Sequence, residues 1–421
     1  MGRQAIAEFG WKVGDAPPVL QPHSAAKLRL ISRYFKSYFP ATIVNLGQVR
    51  QRITLVDGFC GGGKFEDRGN FVDGTPFLLM QAVEGAQREL NKDRIKPLSI
   101  DAQFHFVDKM PDTIDYLRTE LVSRGYRAEI DRTIFLHCQQ FENVAPDICQ
   151  RIKDRTARNV GRSIFLLDQK GYTDVSFATI RNLLQFTAAE VILTFAVGFL
   201  VDYLSDKPQT IKGVLPIEIS DQQILQFLEM KEAWGGRYVI QRGLLRHIKA
   251  ATGALFQSPF FIRSVEARKD LWLVHLSNHL KARNVMVDAH WAENNQSVHQ
   301  GHGGLEMLGF NPNVDAVNAP DFWFGQNDQQ VMHEKLAEDF LRRLHSHHLD
   351  ENVQYGNFIQ AIANESPARL ADFDSVTSLL VDAKELDLKN INNVQKRSIV
   401  PNYRDTITVS KQHKLVGFFK R

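Results

Sequence analysis

Arg52-Ile-Thr-Leu-Val-Asp57-Gly58-Phe59-Cys60-Gly61-Gly62-Gly63-Lys64-Phe65 sets the terms for reading the rest of the chain. An apolar, β-branched run ends in a carboxylate, and a glycine cluster follows at once. This is the pattern of a central parallel strand that delivers its carboxyl end to a ligand. Glycines there let the backbone turn sharply and approach a bound molecule with no Cβ in the way. In open α/β sheets the ligand crevice lies outside such strand ends. The same pattern also describes a strand that runs into a pliable loop, so the neighbouring segments have to decide.

Outward from this segment the pattern repeats. Upstream, residues 24–38 place apolar groups at helical spacing after Ser24 as a candidate cap. Downstream, a turn-rich segment at 61–76 precedes a helix at about 76–90. A second strand, Ala102-Gln-Phe-His-Phe-Val-Asp108, again ends in an acid. A helix at 111–124 leads to a third strand, 133–138, and Ser163-Ile-Phe-Leu-Leu-Asp168 makes a fourth. A helix at 176–187 connects to a fifth at 190–196. Alternating strand and helix imply a parallel sheet covered on both faces. The runs 259–263 and 270–276 are joined too closely for a parallel crossover, so they form an antiparallel edge hairpin. The expected fold class is therefore α/β, a Rossmann-like methyltransferase sheet of parallel strands with an antiparallel edge hairpin.

Length and composition agree with this layout. At 421 residues the chain predicts two domains. These are 1–325, with a helical insertion at about 205–255, and a mainly helical, winged-helix-like module at 326–421. A 43% hydrophobic and 24% charged composition is that of a water-soluble enzyme or binding protein. No apolar run reaches the ~18 residues of a membrane span, since Val191–Leu204 is broken by Thr194, Gly198 and Asp202. No secretion signal is visible, and three cysteines without CxxC spacing fit a reducing cytoplasm. Cys60 and Cys138 are expected as small core residues. The net charge of +3 confines any nucleic-acid surface to local patches.

The strand ends together suggest a cofactor site. Asp57, Gly58, Phe59, Gly61 and Gly63 close the first strand. Asp108 closes the second, where a carboxylate can accept both hydroxyls of a ribose. Gln139, Gln140 and Phe141 follow the third, placed for the face and edge of an adenine. Asp168 closes the fourth. Such acids can also simply cap the helices that follow, but three in succession with glycines after the first favour a nucleotide-like cofactor. A dinucleotide fingerprint opens straight into the helix that holds the pyrophosphate. Here the irregular stretch Lys64–Asp73 intervenes, which favours S-adenosylmethionine, a ligand without phosphate.

These residues carry a resemblance to the three-Cys-motif partner (TcmP) proteins. It rests on Lys27-Leu-x-Leu-Ile-x-x-Tyr34-Phe, Val56-Asp-Gly-Phe-Cys-Gly-Gly-Gly63, Gly74-Thr75-Pro76 and Leu166-Leu-Asp168-Gln-Lys-Gly171-Tyr172. Leu273-Val-His-Leu-Ser-Asn-His279, with Met286 and Trp291, completes it. The similarity spans about residues 20–295 and implies a class I methyltransferase fold that binds S-adenosylmethionine. It adds Gly74, Thr75 and Pro76 to the cofactor set and implies a separate partner protein carrying the three cysteines. The family's fourth-strand loop usually reads Asp-Pro, then glycine and an aromatic; here Gln169 and Lys170 interrupt it. Asp168, Lys170 and Tyr172 are the candidate catalytic residues. Asp168 would orient an acceptor amine while Tyr172 stacks on its base. No cysteine follows the fourth strand, which argues against cytosine-C5 chemistry and its thiolate nucleophile.

The remaining signals are weaker. His299 with His302, and His345 with His347 and His348, lack the helical spacing and acid of a catalytic zinc site, so no metal is expected. The glycine-rich stretch 301–312 is a candidate lid. A basic helical stretch, 222–251, carries Arg237, Arg242, Arg246 and Lys249. Beyond Lys384, Lys396, Arg397, Lys411 and Lys414 stand among a local excess of basic residues. Both are candidate phosphate-binding surfaces. The expected function is methyl transfer to a nucleic-acid base or similar amine. The alternative is a non-catalytic binding partner built on a degenerate methyltransferase fold.

Overall fold

The computed structural model describes residues 10–156, 161–186, 188–198, 200, 213–231, 236–264, 269–293, 299–300, 321–322, 325–346 and 353–410. Its contacts divide the chain into two compact units, Met1–Glu293 and Asn294–Arg421. The sequence reading began the second unit at 326. The first long helix of that unit is Gln326–Ser346.

The first unit opens with helix α1 (Pro22–Thr42). Pro22 begins it and Gln21 precedes it without a side-chain cap, so Ser24 lies inside the helix and is not its cap. Strand β1 (Arg50–Asp57) follows. The segment read as irregular then forms a hairpin, β2 (Lys64–Asp67) and β3 (Asn70–Asp73). Arg68 and Gly69 both have positive φ, as a two-residue hairpin loop requires. Next come α2 (Thr75–Asn91), β4 (Ser99–Asp108), α3 (Pro111–Ser123), β5 (Ile134–Cys138) and α4 (Phe141–Thr156). They lead to β6 (Arg162–Leu167), α5 (Phe177–Leu183) and β7 (Ala189–Phe195). The basic stretch is two helices, α6 (Asp221–Lys231) and α7 (Gly236–Thr252). β8 (Phe256–Ser264), β9 (Lys269–Ser277) and α8 (Leu280–Glu293) close the unit.

Seven strands make one sheet in the order β5-β4-β1-β6-β7-β9-β8. The first five pair in parallel, and β9 runs antiparallel between β7 and β8. That order, with its single reversed strand, is the Rossmann-like methyltransferase sheet. Strand alternation feeds both faces. Ile53, Leu55, Ile164, Leu166, Ile192 and Leu273 join one large core cluster with residues of α1, α2, α3 and α8. Their sequence neighbours Val56, Phe165, Leu167, Val191, Leu193 and Trp272 are buried too. No described helix is long and apolar enough to cross a membrane.

The second unit contains a short antiparallel pair, β10 (His299–Gln300) with β11 (Asp321–Phe322), then α9 (Gln326–Ser346). It continues with β12 (Val353–Gln354), α10 (Tyr355–Ile362), α11 (Leu370–Asp382), β13 (Leu386–Lys389) and β14 (Thr406–Val409). The last three strands form a sheet in the order β12-β14-β13. Strand β14 pairs along its length with Leu386–Lys389. Residues 411–421 lie outside the described residues, as does the candidate lid at 301–312.

Candidate functional site

β1 leads onward through β4 to β5 on one side, and β6 leads to β7 on the other. The chain therefore reverses its direction of winding between β1 and β6, and the crevice at such a switch point is where open α/β sheets bind ligands. Asp57 pairs in register with Leu166, so Asp168 follows two residues past that level on the adjacent strand. The glycine turn is tied to both neighbouring strands. The Gly58 N–H donates to the Leu166 carbonyl at 2.8 Å, and the Cys60 N–H to the Val107 carbonyl at 2.9 Å. Gly61 and Gly63 adopt positive φ, which a side chain would strain.

Asp57 is only 1% exposed. Its Oδ1 accepts the Phe59 N–H at 3.2 Å, while Oδ2 is buried without a hydrogen-bond partner. Burial raises its pKa to about 7, helped by the charges of Asp168 and Asp108 and opposed by the Phe59 N–H and the nearby Thr75 hydroxyl. A buried acceptor oxygen left unpartnered costs free energy that an incoming donor would recover. Asp108 is half-buried, with Oδ1 accepting the Met110 N–H at 2.9 Å. Burial also raises its pKa, while the Met110 and Gly61 N–H groups and the Lys170 charge oppose that rise. Lys170, past the end of β6, is exposed, and its charge reaches Asp108. Gly74, Thr75 and Pro76 open α2 beneath the turn, with the Gly74 N–H donating to the Gly63 carbonyl at 2.8 Å.

The adenine candidates divide. Gln139 and Gln140 are exposed past β5, but Phe141 is buried, and a Cβ placed on Gly58 would meet its ring at 3.0 Å. Phe141 thus packs directly under the turn. Tyr172 is half-buried, 6.0 Å from the Phe195 ring, and burial raises its hydroxyl pKa. Cys60 is buried as expected, but Cys138 is exposed, which corrects its placement in the core. β5 is an edge strand, so the last residue of an apolar run there reaches solvent.

Three features of the site were missed in the sequence. The first is Lys27, read as part of a helix and of the first resemblance block but given no role in the site. Its side chain is 10% exposed, and its ammonium donates to both Asp168 oxygens, at 2.5 and 2.6 Å. The Asp168 side chain is 44% exposed. Desolvation works against its charge, but the Lys27 ammonium outweighs it and holds the carboxyl below its usual range. The open side of the carboxylate acts in the same direction, since hydration favours ionisation.

The second feature is Trp11, 9% exposed, whose indole N–H donates to the Lys64 carbonyl at 2.8 Å. A Cβ on Gly61 would lie 2.7 Å from the Trp11 ring, and one on Gly62 only 2.3 Å. Those glycines therefore admit an indole from the protein itself, a role that no spacing within 57–63 reveals. The third is Gln169, which turns inward where Lys170 turns out. Its Oε1 accepts the Val175 N–H at 3.1 Å, and its Nε2 is buried without a partner.

The phosphate-binding candidates differ in exposure. Arg246 is exposed and Lys249 half-buried on α7, while the side chains of Arg237 and Arg242 lie outside the described residues. Arg397 is exposed, but Lys396 donates to Asp405 Oδ2 at 2.6 Å and to the Val400 carbonyl at 3.0 Å. Lys411 and Lys414 lie outside the described residues. No cluster of metal-binding side chains occurs among the described residues.

No family model matches the sequence. No curated protein matches it either. Among solved structures the chain is similar to a protein of Legionella pneumophila str. Philadelphia 1 described under the family model DUF519. The identity is 7%, covering 62% of this chain and 86% of that one, with a TM-score of 0.34. It is also similar to a "putative rRNA-methylase" from Clostridium thermocellum, at 8% identity over 57% of this chain and 93% of that one, with a TM-score of 0.24. Likenesses this distant add nothing to the functional argument, and the methyltransferase-like fold stands on the strand order.

Proposed function

We propose that this protein binds S-adenosylmethionine in the β1/β6 crevice and methylates a nucleic-acid base or similar amine. The observation that carries this reading is the convergence of Asp57, Asp108 and Asp168 on three adjacent strand ends around a switch point. The unpartnered Oδ2 of Asp57 suits an ammonium group, such as that of an amino-acid moiety. Asp108, beside the Gly61 N–H, would hold a ribose. When bound, the cofactor supplies an electrophilic methyl: the acceptor's lone pair forms the new bond, and the S–C pair stays on sulfur as a neutral thioether. Each carboxylate oxygen has two lone-pair sites. Lys27 uses one on each oxygen of Asp168, which leaves that carboxylate oriented and still able to accept an amine N–H from its open side. The proton shed by the methylated amine leaves through the same side to solvent.

The resemblance to three-Cys-motif partner proteins supports the same reading and names a three-Cys-motif protein as the partner. From α9 onward the second unit runs helix, strand, helix, helix, strand, strand, with these strands ordered β12-β14-β13. We read it as a winged helix. The segment between β13 and β14 would be the wing, with Lys396 bracing it internally and Arg397 open to a phosphate.

A second reading has its own support. The Lys27 ammonium already occupies Asp168, and Gln169-Lys170 replaces the expected proline, as in a fold retained for binding alone. Isothermal titration calorimetry separates the cofactor claim from its failure. S-adenosylmethionine and S-adenosylhomocysteine should bind where NAD+ does not, and Asp108→Ala should weaken both by about tenfold or more. No heat from either ligand at millimolar concentration would end the proposal. Binding without methyl transfer to any RNA or DNA acceptor, with the partner present, would favour the binding-only reading.

A further inference from the structure

We propose that Lys27 is a specificity-determining residue that cancels the Asp168 charge at the methyl-donor crevice and so sets how strongly the protein distinguishes a sulfonium ligand from its thioether product. This rests on the S-adenosylmethionine reading above. Lys27 comes from α1, outside the strand-end loops that form the rest of the site. It reaches 141 residues along the sequence to grip both oxygens of one carboxylate. The ammonium is nearly sealed from solvent while its partner is open, so the pair is not an ordinary surface bridge between two mobile side chains. Thr194, buried on β7, stands beside the same carboxylate.

The charge balance gives the pair its consequence. The crevice holds three carboxylates, and Asp57 responds to the charges of the other two, so they share one electrostatic environment. Methyl transfer removes one positive charge from the ligand, because the departing methyl leaves its bonding pair on sulfur. An uncompensated Asp168 would hold the sulfonium more tightly than the thioether. Lys27 removes that bias. Without Asp168, the same buried ammonium would repel the sulfonium and leave the thioether unaffected. Over separations of about 7 Å at an effective dielectric near 20, such charges change affinity by roughly tenfold or more.

Calorimetric dissociation constants for S-adenosylmethionine and S-adenosylhomocysteine, measured on the full chain, test this without any turnover. Lys27→Met should shift the affinity ratio about tenfold toward S-adenosylmethionine, and Lys27→Arg should keep the wild-type ratio. Asp168→Asn should weaken S-adenosylmethionine about tenfold while leaving S-adenosylhomocysteine within twofold. The double variant should return the ratio to its wild-type value. The Asp168→Asn result decides the matter even if Lys27→Met does not fold. Ratios unmoved in variants that still bind S-adenosylhomocysteine would overturn the role of Lys27 and leave the cofactor reading intact. Wild-type protein that binds neither ligand would overturn both.

Discussion

Two carboxylates on the central sheet take their partners from the same helix: Glu190, near the start of β7, from Tyr34, and Asp168, past the end of β6, from Lys27. Glu190 is sealed. The Tyr34 hydroxyl and His275 Nε2 both hydrogen-bond to its Oε2, the latter at 2.8 Å, and all three residues are buried. Burial, followed by the Glu190 charge, raises the Tyr34 pKa well above its ordinary value, so the phenol stays a donor. Asp168 meets a largely buried cation but keeps an open side. One helix thus carries a structural clamp near the start of one interior strand and a chemical group past the end of its neighbour. The difference lies in solvent access rather than in bonding.

The clamp can be broken first. Glu190→Ala leaves two buried donors unpaired and should cost about 3–5 kcal/mol in urea unfolding. The affinity of the folded protein for S-adenosylhomocysteine should not change. A loss below ~1 kcal/mol would mean that the lower network is dispensable.

The crevice responds in the opposite sense. The pKa of Asp57 is raised from 3.8 to about 7, so the fold favours its protonated form. Its contribution to stability is fully present below pH 3.8 and disappears as pH rises through about 7. Asp57→Asn removes this burden. The apo variant should gain on the order of 4 kcal/mol at pH 8 and nothing near pH 4, while its affinity for S-adenosylmethionine falls about tenfold. Equal stabilities at both pH values would show that the carboxylate is not desolvated as described.

A smaller effect probes the roof of the turn. Gly62→Ala should cost about 2 kcal/mol in the wild-type protein, because its Cβ meets the Trp11 ring. In a Trp11→Ala background the same change should be nearly neutral. Additive costs would remove Trp11 from the explanation of those glycines.

These comparisons also show what the sequence could reveal. Asp57, Asp108 and Asp168 were legible because each ends an apolar run, and strand alternation fixes where such an end must lie. The parallel strands and the antiparallel edge hairpin followed from the strand–helix alternation and the short link between β8 and β9. Lys27 was visible as a helix residue and as part of the resemblance, but its grip on Asp168 was not, because a partner 141 positions away leaves no local trace. Trp11 was illegible for the same reason. The β2–β3 hairpin was missed because Arg68-Gly69 is not one of the commonest turn pairs, although its positive φ values perform the same task. Cys138 was misplaced because an apolar run does not report that its strand lies at an edge.

The most direct test of the central claim is a crystal structure of the protein with S-adenosylhomocysteine. The ligand should lie in the β1/β6 crevice, its amino group on Asp57 and its ribose on Asp108, with Lys27 still on Asp168. Density for the ligand anywhere else, or a crevice still empty at saturating concentration, would contradict it.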